Sequence, residues 1–329
     1  MNEHSRESDR RFIAFDLEGP LSPNDNAYDL MGLFEGGKKI FESLSLYDDQ
    51  LSLENRKGYE AGDTLKLILP FLIIHGISRN HIEELAKKAP LNRGAIRLVG
   101  KLREEGWQVF CITTAYEPYA MILAERLGIE RENVAATRFP ALDIMLSEEE
   151  RSLTEGVEQA ILQHEDKSTL KSILDTFFWQ DLSKTEIARA MEVTIPVGGM
   201  RKVEAIERFS QSHQQPLSKW AFAGDSITDS RLLERLRAEN GLAIAFNANR
   251  YALSSATVAL ASTDIGDLLP VLESWQKGGL NMVRETIAAM EEKATPSKYC
   301  WLPGGEPSGV LELHQTVRLK VRQEAGRLG

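Results

Sequence analysis

Four positions carry residue types that can do chemistry together. The apolar run Phe12-Ile13-Ala14-Phe15 ends in Asp16, and Glu18 follows two residues later. Ala221-Phe222-Ala223 ends in Gly224-Asp225, with Asp229 four residues on, and Val109-Phe110-Cys111-Ile112 ends in Thr113-Thr114. Lys202 follows Gly198-Gly199. If the run ends converge, Asp16 and Asp225 bring two carboxylates into one small volume, which is costly unless a cation lies between them or one is protonated. A hard divalent ion with oxygen ligands, Mg²⁺ before others, resolves that conflict and keeps room for a substrate phosphate. Lys202 can offset phosphate charge, Thr113 offers a hydroxyl, and its neighbour Thr114 offers a backbone N–H. Nucleophile, metal, cation and hydroxyl together describe phosphoryl transfer through an aspartyl-phosphate on Asp16. Glu18 can then serve as the acid and base, and Asp229, one helical turn from Asp225, can hold Lys202 or contact metal-bound water.

The elements that must position these groups follow from hydrophobic patterning. Short continuous apolar runs read as buried parallel strands: 12–15, 109–112, 134–137, 221–223, 242–246 and, as the last of the sheet, 258–260. Helical patterns separate them, among them Ala95 to Glu105, Tyr119 to Leu127 closed by Gly128, Val203 to Phe209 and Asp229 to Arg237. Strands alternating with helices imply an α/β fold with a mostly parallel sheet and helices on both faces. In such sheets the site lies beyond the carboxyl ends of the strands, where Asp16, Thr113 and Asp225 stand. Residues 25–91 read as helical throughout. Ser147-x-x-Glu150 and Ser183-x-x-Glu186 each fit a capping box at a helix start, so 147–191 reads as a helical insertion. Beyond a helix ending at Trp275, the tail 277–329 reads as two helices around a Pro/Gly-rich link, with Cys300-Trp301 as a packing point.

Composition narrows the function classes. The chain has 329 residues, 42% of them hydrophobic, enough for a substantial core. Lys+Arg is 39 against Asp+Glu 49, a net charge of −10, which argues against broad nucleic-acid binding but allows a small phosphorylated substrate in a locally cationic cleft. Two cysteines, Cys111 and Cys300, exclude a disulfide scaffold. The polar start lacks a signal-peptide core, and the longest apolar run, Leu67 to Ile74, is too short for a bilayer, so a cytoplasmic setting without membrane insertion is expected. The histidines show no metal-ligand spacing. Phe177-Phe178-Trp179 reads as helix packing. Arg201 competes with Lys202 for the same role, and Arg56, Lys57 and Lys66 are candidate substrate contacts that more simply lie on a solvated face.

Phe15-Asp16-Leu17-Glu18-Gly19-Pro20-Leu21, Thr113 after its apolar strand, Lys202, and Gly224-Asp225-Ser226-Ile227-Thr228-Asp229 resemble, in order, the four motifs of the haloacid dehalogenase (HAD) superfamily. The helices between the first two motifs and Ala245-Phe246-Asn247-Ala248-Asn249 resemble its phosphoserine-phosphatase-like branch. The stretch Phe15 to Tyr28 is similar to an archaeal group labelled energy-converting hydrogenase A subunit R. The resemblance covers about half the chain. It implies a Rossmann-like core (12–24, 92–146 and 192–276), a helical cap (25–91), and Mg²⁺-dependent hydrolysis of a small phosphate ester. It further implies that Asp16 is nucleophile and metal ligand, and that Glu18 binds metal through its carbonyl and acts as acid/base through its side chain. Thr113, Thr114 and Lys202 would hold the phosphoryl group, Asp225 would bind metal, and Asp229 would support that shell. The sequence departs from the family at Glu18, where Asp is usual, and at Pro20, where Thr is usual. A catalytically weak regulatory or complex-forming subunit of the same fold is the alternative these departures raise. A homo-oligomer or a protein complex is compatible with either reading. Carbon–halogen cleavage fits less well, because paired carboxylates argue for a cation.

Overall fold

The computed structural model describes residues 11–54, 56–140, 144–163, 166–291, 298–303 and 309–328. Its sheet has seven strands in the order β3-β2-β1-β4-β5-β6-β7. These are β1 (Phe12–Phe15), β2 (Gln108–Tyr116), β3 (Val134–Thr137), β4 (Trp220–Gly224), β5 (Leu242–Phe246), β6 (Val258–Ala261) and β7 (Lys298–Trp301). All neighbours pair in parallel except β6 and β7, which run antiparallel. Every residue of β1, β4, β5 and β6 is buried, as strands covered on both faces by helices must be. One core layer contains Ile13, Phe15, Cys111 and Ile244; the other contains Phe12, Phe110, Trp220 and Phe222. The result is the expected α/β architecture.

Two strand expectations need correction. β6 is not the last strand, because the tail returns Tyr299-Cys300-Trp301 to the sheet edge opposite Leu260, Ala259 and Val258. A four-residue edge strand has too little alternation to announce itself, and its pairing partner lies far away in sequence. β2 does not stop at Thr113-Thr114 but continues through a register irregularity to pair Tyr116 with Thr137. Pairing with β3, rather than local propensity, carries the extension.

Residues 26–88 contain only helices among their regular elements, at Asn26–Met31, Gly37–Leu53, Thr64–Leu67, Leu69–Ile74 and Arg79–Lys88. Helices Glu148–Gln163, Lys167–Thr176 and Glu186–Val193 follow later in the chain, and this group packs against them. Tyr47 Oη donates to Asp175 at 2.6 Å, Trp179 Nε1 donates to Tyr47 Oη at 2.8 Å, and Phe71 meets Phe177. Phe177 and Phe178 are buried in this contact, the packing role their spacing suggested. The Ser147–Glu150 capping box forms, but the second helix start does not use Ser183. Thr185 caps it instead, accepting the N–H of Ala188 at 3.1 Å, while the Ser183 hydroxyl turns back to the carbonyl of Gln180. The helix expected to end at Trp275 breaks at Gly278 and Gly279, whose backbone is non-helical, and a second helix follows to Glu291. No helix among the described residues is long and apolar enough to cross a membrane.

Candidate active site

Strand order decides the geometry. Because β1 lies between β2 and β4, residues following three separate strands meet at one sheet edge. The Asp16 N–H donates to the Ala223 carbonyl at 2.9 Å, carrying the β1–β4 ladder up to the carboxylate itself. Asp225 stands one residue past β4. The chain between them must pass close, and Gly19 allows it: its φ is +107°, and a Cβ there would lie 2.3 Å from Asp225 Cγ.

The Met200–Ser212 helix carries Lys202 beneath this edge, wholly buried. Its Nζ donates to Asp16 Oδ2 at 2.7 Å and to Asp229 Oδ1 at 2.6 Å. The other Asp229 oxygen accepts the N–H groups of Asp225 at 2.8 Å and Ser226 at 3.0 Å. Asp229 therefore holds both Lys202 and the backbone of the Asp225 loop. Arg201 is not a rival for this place, since it pairs with Asp63 and the Pro196 carbonyl.

Burial dominates the titration of the group. It pushes the Asp16 carboxyl up to about 7, with Lys202 pulling it down and Asp229 and Asp225 adding to the rise. Burial also holds Glu18 well above its ordinary value, reinforced by Asp25 and opposed by the Asn26 N–H that the carboxylate accepts. For Lys202, burial works against the charge, but Asp16 and Asp229 outweigh it and raise its pKa.

Asp16, Asp225 and Asp229 each offer an oxygen within 4.8 Å of the others. Asp225 is 1% exposed, yet its Oδ1 has no hydrogen-bond partner among the described residues. A buried carboxylate oxygen left bare beside two further carboxylates is a donor set for a hard cation, so the residues fit Mg²⁺.

Two functional neighbours escaped the sequence reading. The Val310–Arg322 helix of the tail directs Arg318 and Arg322 into the site, and both donate to Asp225 Oδ2, Arg322 at 2.7 Å. They stand four residues apart, on one helical face, but nothing local distinguishes them from solvated arginines. Only the return of the tail along the sheet edge brings them in.

A narrow cavity of about 90 Å³ opens over Asp16, Glu18, Asp225, Thr114, Arg318 and Arg322. The Gly37–Leu53 helix closes it with Phe41, Ser45, Asp48 and Asp49. Asp48 accepts from Tyr59 Oη at 2.6 Å and from Gly62 N at 3.1 Å. Thr114 faces the cavity, whereas Thr113 is buried with its hydroxyl accepting the N–H of Ala115 at 3.1 Å. The candidate substrate contacts Arg56 and Lys66 are engaged elsewhere, Arg56 over the Trp179 ring and Lys66 with Asp63.

No protein-family model matches the chain, and no curated protein matches its sequence. Solved structures do. The gene product AF1437 from Archaeoglobus fulgidus is 28% identical and superposes with a TM-score of 0.87 over 97% of this chain and 99% of its own. A phosphoserine phosphatase captured as a phospho-aspartyl intermediate analogue is 16% identical, with a TM-score of 0.52 over 79% of this chain and 97% of its own. A probable phosphoserine phosphatase from Vibrio cholerae is 13% identical, with a TM-score of 0.51 over 88% and 68%. The chain thus has the α/β fold of the HAD-type phosphoserine phosphatases.

Proposed function

We propose that the protein is a phosphatase of small phosphorylated metabolites, working through an aspartyl-phosphate on Asp16. One observation carries the reading: Asp16, Lys202, Asp229 and Asp225 form a continuous buried cluster at the ends of adjacent strands, opening on a phosphate-sized cavity. The likeness to a phosphoserine phosphatase with a phospho-aspartyl analogue supports it at the level of fold.

When bound, Mg²⁺ supplies charge neutralisation for the phosphoryl oxygens, and Asp16, Asp225 and the Glu18 carbonyl are the groups that would hold it. The rest is the work of the chain. Lys202 fixes Asp16 Oδ2, leaving Oδ1 to attack phosphorus as the bond to the leaving oxygen breaks. Glu18, whose burial raises its pKa and so favours the protonated form, gives its proton to that oxygen. The Glu18 carboxylate then takes a proton from water, whose oxygen attacks phosphorus and releases phosphate and free Asp16. Thr114, facing the cavity, orients the phosphoryl group, Lys202 offsets charge through Asp16, and Asp229 keeps Lys202 in place. The cavity walls exclude bulk water, which strengthens each of these interactions.

Phosphate release from a panel of small phosphomonoesters with Mg²⁺ tests the reading. The native protein should turn over at least one, and Asp16→Asn should be inactive on it. Equal rates in the two proteins refute it.

A further inference from the structure

The two tail arginines are not equivalent. Arg318 is engaged at all three nitrogens: Nε donates to the Gly326 carbonyl at 3.1 Å, Nη2 to the Leu328 carbonyl at 2.9 Å, and Nη1 to both Asp225 Oδ2 and the Asp225 carbonyl. It clamps the end of the chain onto the site. Arg322 spends only part of its fork, with Nε donating to the Pro23 carbonyl at 3.2 Å and Nη1 to Asp225 Oδ2 at 2.7 Å. Its Nη2 has no hydrogen-bond partner among the described residues, and the residue lines the cavity beside Asp16, Glu18 and Asp25. Lys202, the other cation of the cluster, is wholly buried and already held by two carboxylates.

We infer that Arg322 is a phosphate-contacting residue, supplied to the active site by the C-terminal helix. This deepens the phosphatase reading and rests on it. A guanidinium is planar and presents its donors as a fixed fork, so one edge can hold Asp225 while the free nitrogen meets an incoming phosphoryl oxygen. A dianion entering this cavity faces Asp16, Glu18, Asp25 and Asp225; Arg318 there is held at every nitrogen, whereas Arg322 keeps its whole Nη2 amino group without a partner among the described residues. The bond to Asp225 Oδ2 leaves Oδ1 of that carboxylate without a partner among the described residues. The tail is then part of the site, and anion affinity depends on its docking.

The test uses the full chain and inorganic phosphate as probe. Phosphate affinity is measured by calorimetry in saturating Mg²⁺ for native, Arg322→Gln and Arg322→Lys proteins. Mn²⁺ affinity is followed separately by electron paramagnetic resonance, and folding by circular dichroism. A lost hydrogen bond to a charged partner predicts a phosphate Kd raised roughly 10- to 100-fold in Arg322→Gln. Arg322→Lys keeps the charge and the Asp225 bond but loses the fork, and it should weaken phosphate roughly tenfold while still binding Mn²⁺. If Arg322→Gln does not fold, the lysine variant decides. An unchanged phosphate Kd in folded Arg322→Lys overturns the inference, as does tighter Mn²⁺ binding with unaltered phosphate affinity, which would make the arginine only a competitor of the metal. Turnover separates the two readings. Phosphate binding that depends on Arg322 in a protein that hydrolyses no phosphomonoester sinks the phosphatase reading alone. Hydrolysis with an Arg322→Lys KM equal to the native value sinks this inference alone.

Discussion

Replacing Lys202 with methionine isolates the electrostatics of the cluster. The lysine is wholly buried and makes close bonds to Asp16 and Asp229, at 2.7 and 2.6 Å. Each contact is worth about 6 kcal/mol at an effective dielectric near 20, but desolvation of the three groups offsets much of the sum. Removing one member of a buried pair leaves the other charge uncompensated, at a cost of about 3–5 kcal/mol. Here two carboxylates are stranded within 4.8 Å of each other, so the upper end applies. At roughly 2 °C per kcal/mol for a chain of this size, the metal-free variant should melt about 10 °C lower than native near pH 8. The deficit must depend on pH. Asp16 already has its pKa raised to about 7 with Lys202 present, and without the lysine it rises further. A carboxyl whose folded pKa lies above its unfolded one takes up a proton on folding as pH falls, so acidification relieves the repulsion. The loss in melting temperature should therefore shrink by about half near pH 5.5. Thermal unfolding by circular dichroism in EDTA, from acid to mildly alkaline pH, measures both effects. An equal melting temperature, or a deficit that grows on acidification, would show that the two carboxylates do not share Lys202 as a buried triad.

Other perturbations probe separate links. Mg²⁺ at about 100 times its Kd should stabilise native protein by about 2.7 kcal/mol, and Asp225→Asn should lose most of this gain in a melting titration. Gly19→Ala combines a φ of +107° with a Cβ placed against Asp225, and denaturant unfolding should show a loss of at least about 2 kcal/mol. Glu18→Asp shortens the acid by a methylene, moving the carboxyl by about 1 Å, and steady-state rates should fall roughly 10²-fold if the longer side chain is tuned to this site. Thr185→Ala should cost about 1 kcal/mol in chemical denaturation, against less than about 0.5 kcal/mol for Ser183→Ala, since only the first removes a helix cap.

Much of the architecture was written in local pattern. Uninterrupted apolar runs marked β1, β4, β5 and β6, because strands covered on both faces have no polar side to show. Asp16 and Asp225 could be located because each directly follows such a strand. What local pattern concealed was pairing. The Tyr299-Cys300-Trp301 edge strand and the extension of β2 to Tyr116 each depend on a neighbour the local sequence does not contain.

The division follows from range. Residue type and spacing along the chain determined that Asp16 and Asp225 would each stand just past a buried strand, since burial acts over a few residues. Which of them would touch was decided by strand order alone, with β1 placed between β2 and β4. The tertiary structure also decided that Asp229 would hold Lys202 and that Arg318 and Arg322 would reach Asp225, 93 and 97 residues away in sequence. An arginine acquires a role of that kind only from the charge it is packed against, and no pattern within its own helix can name that charge.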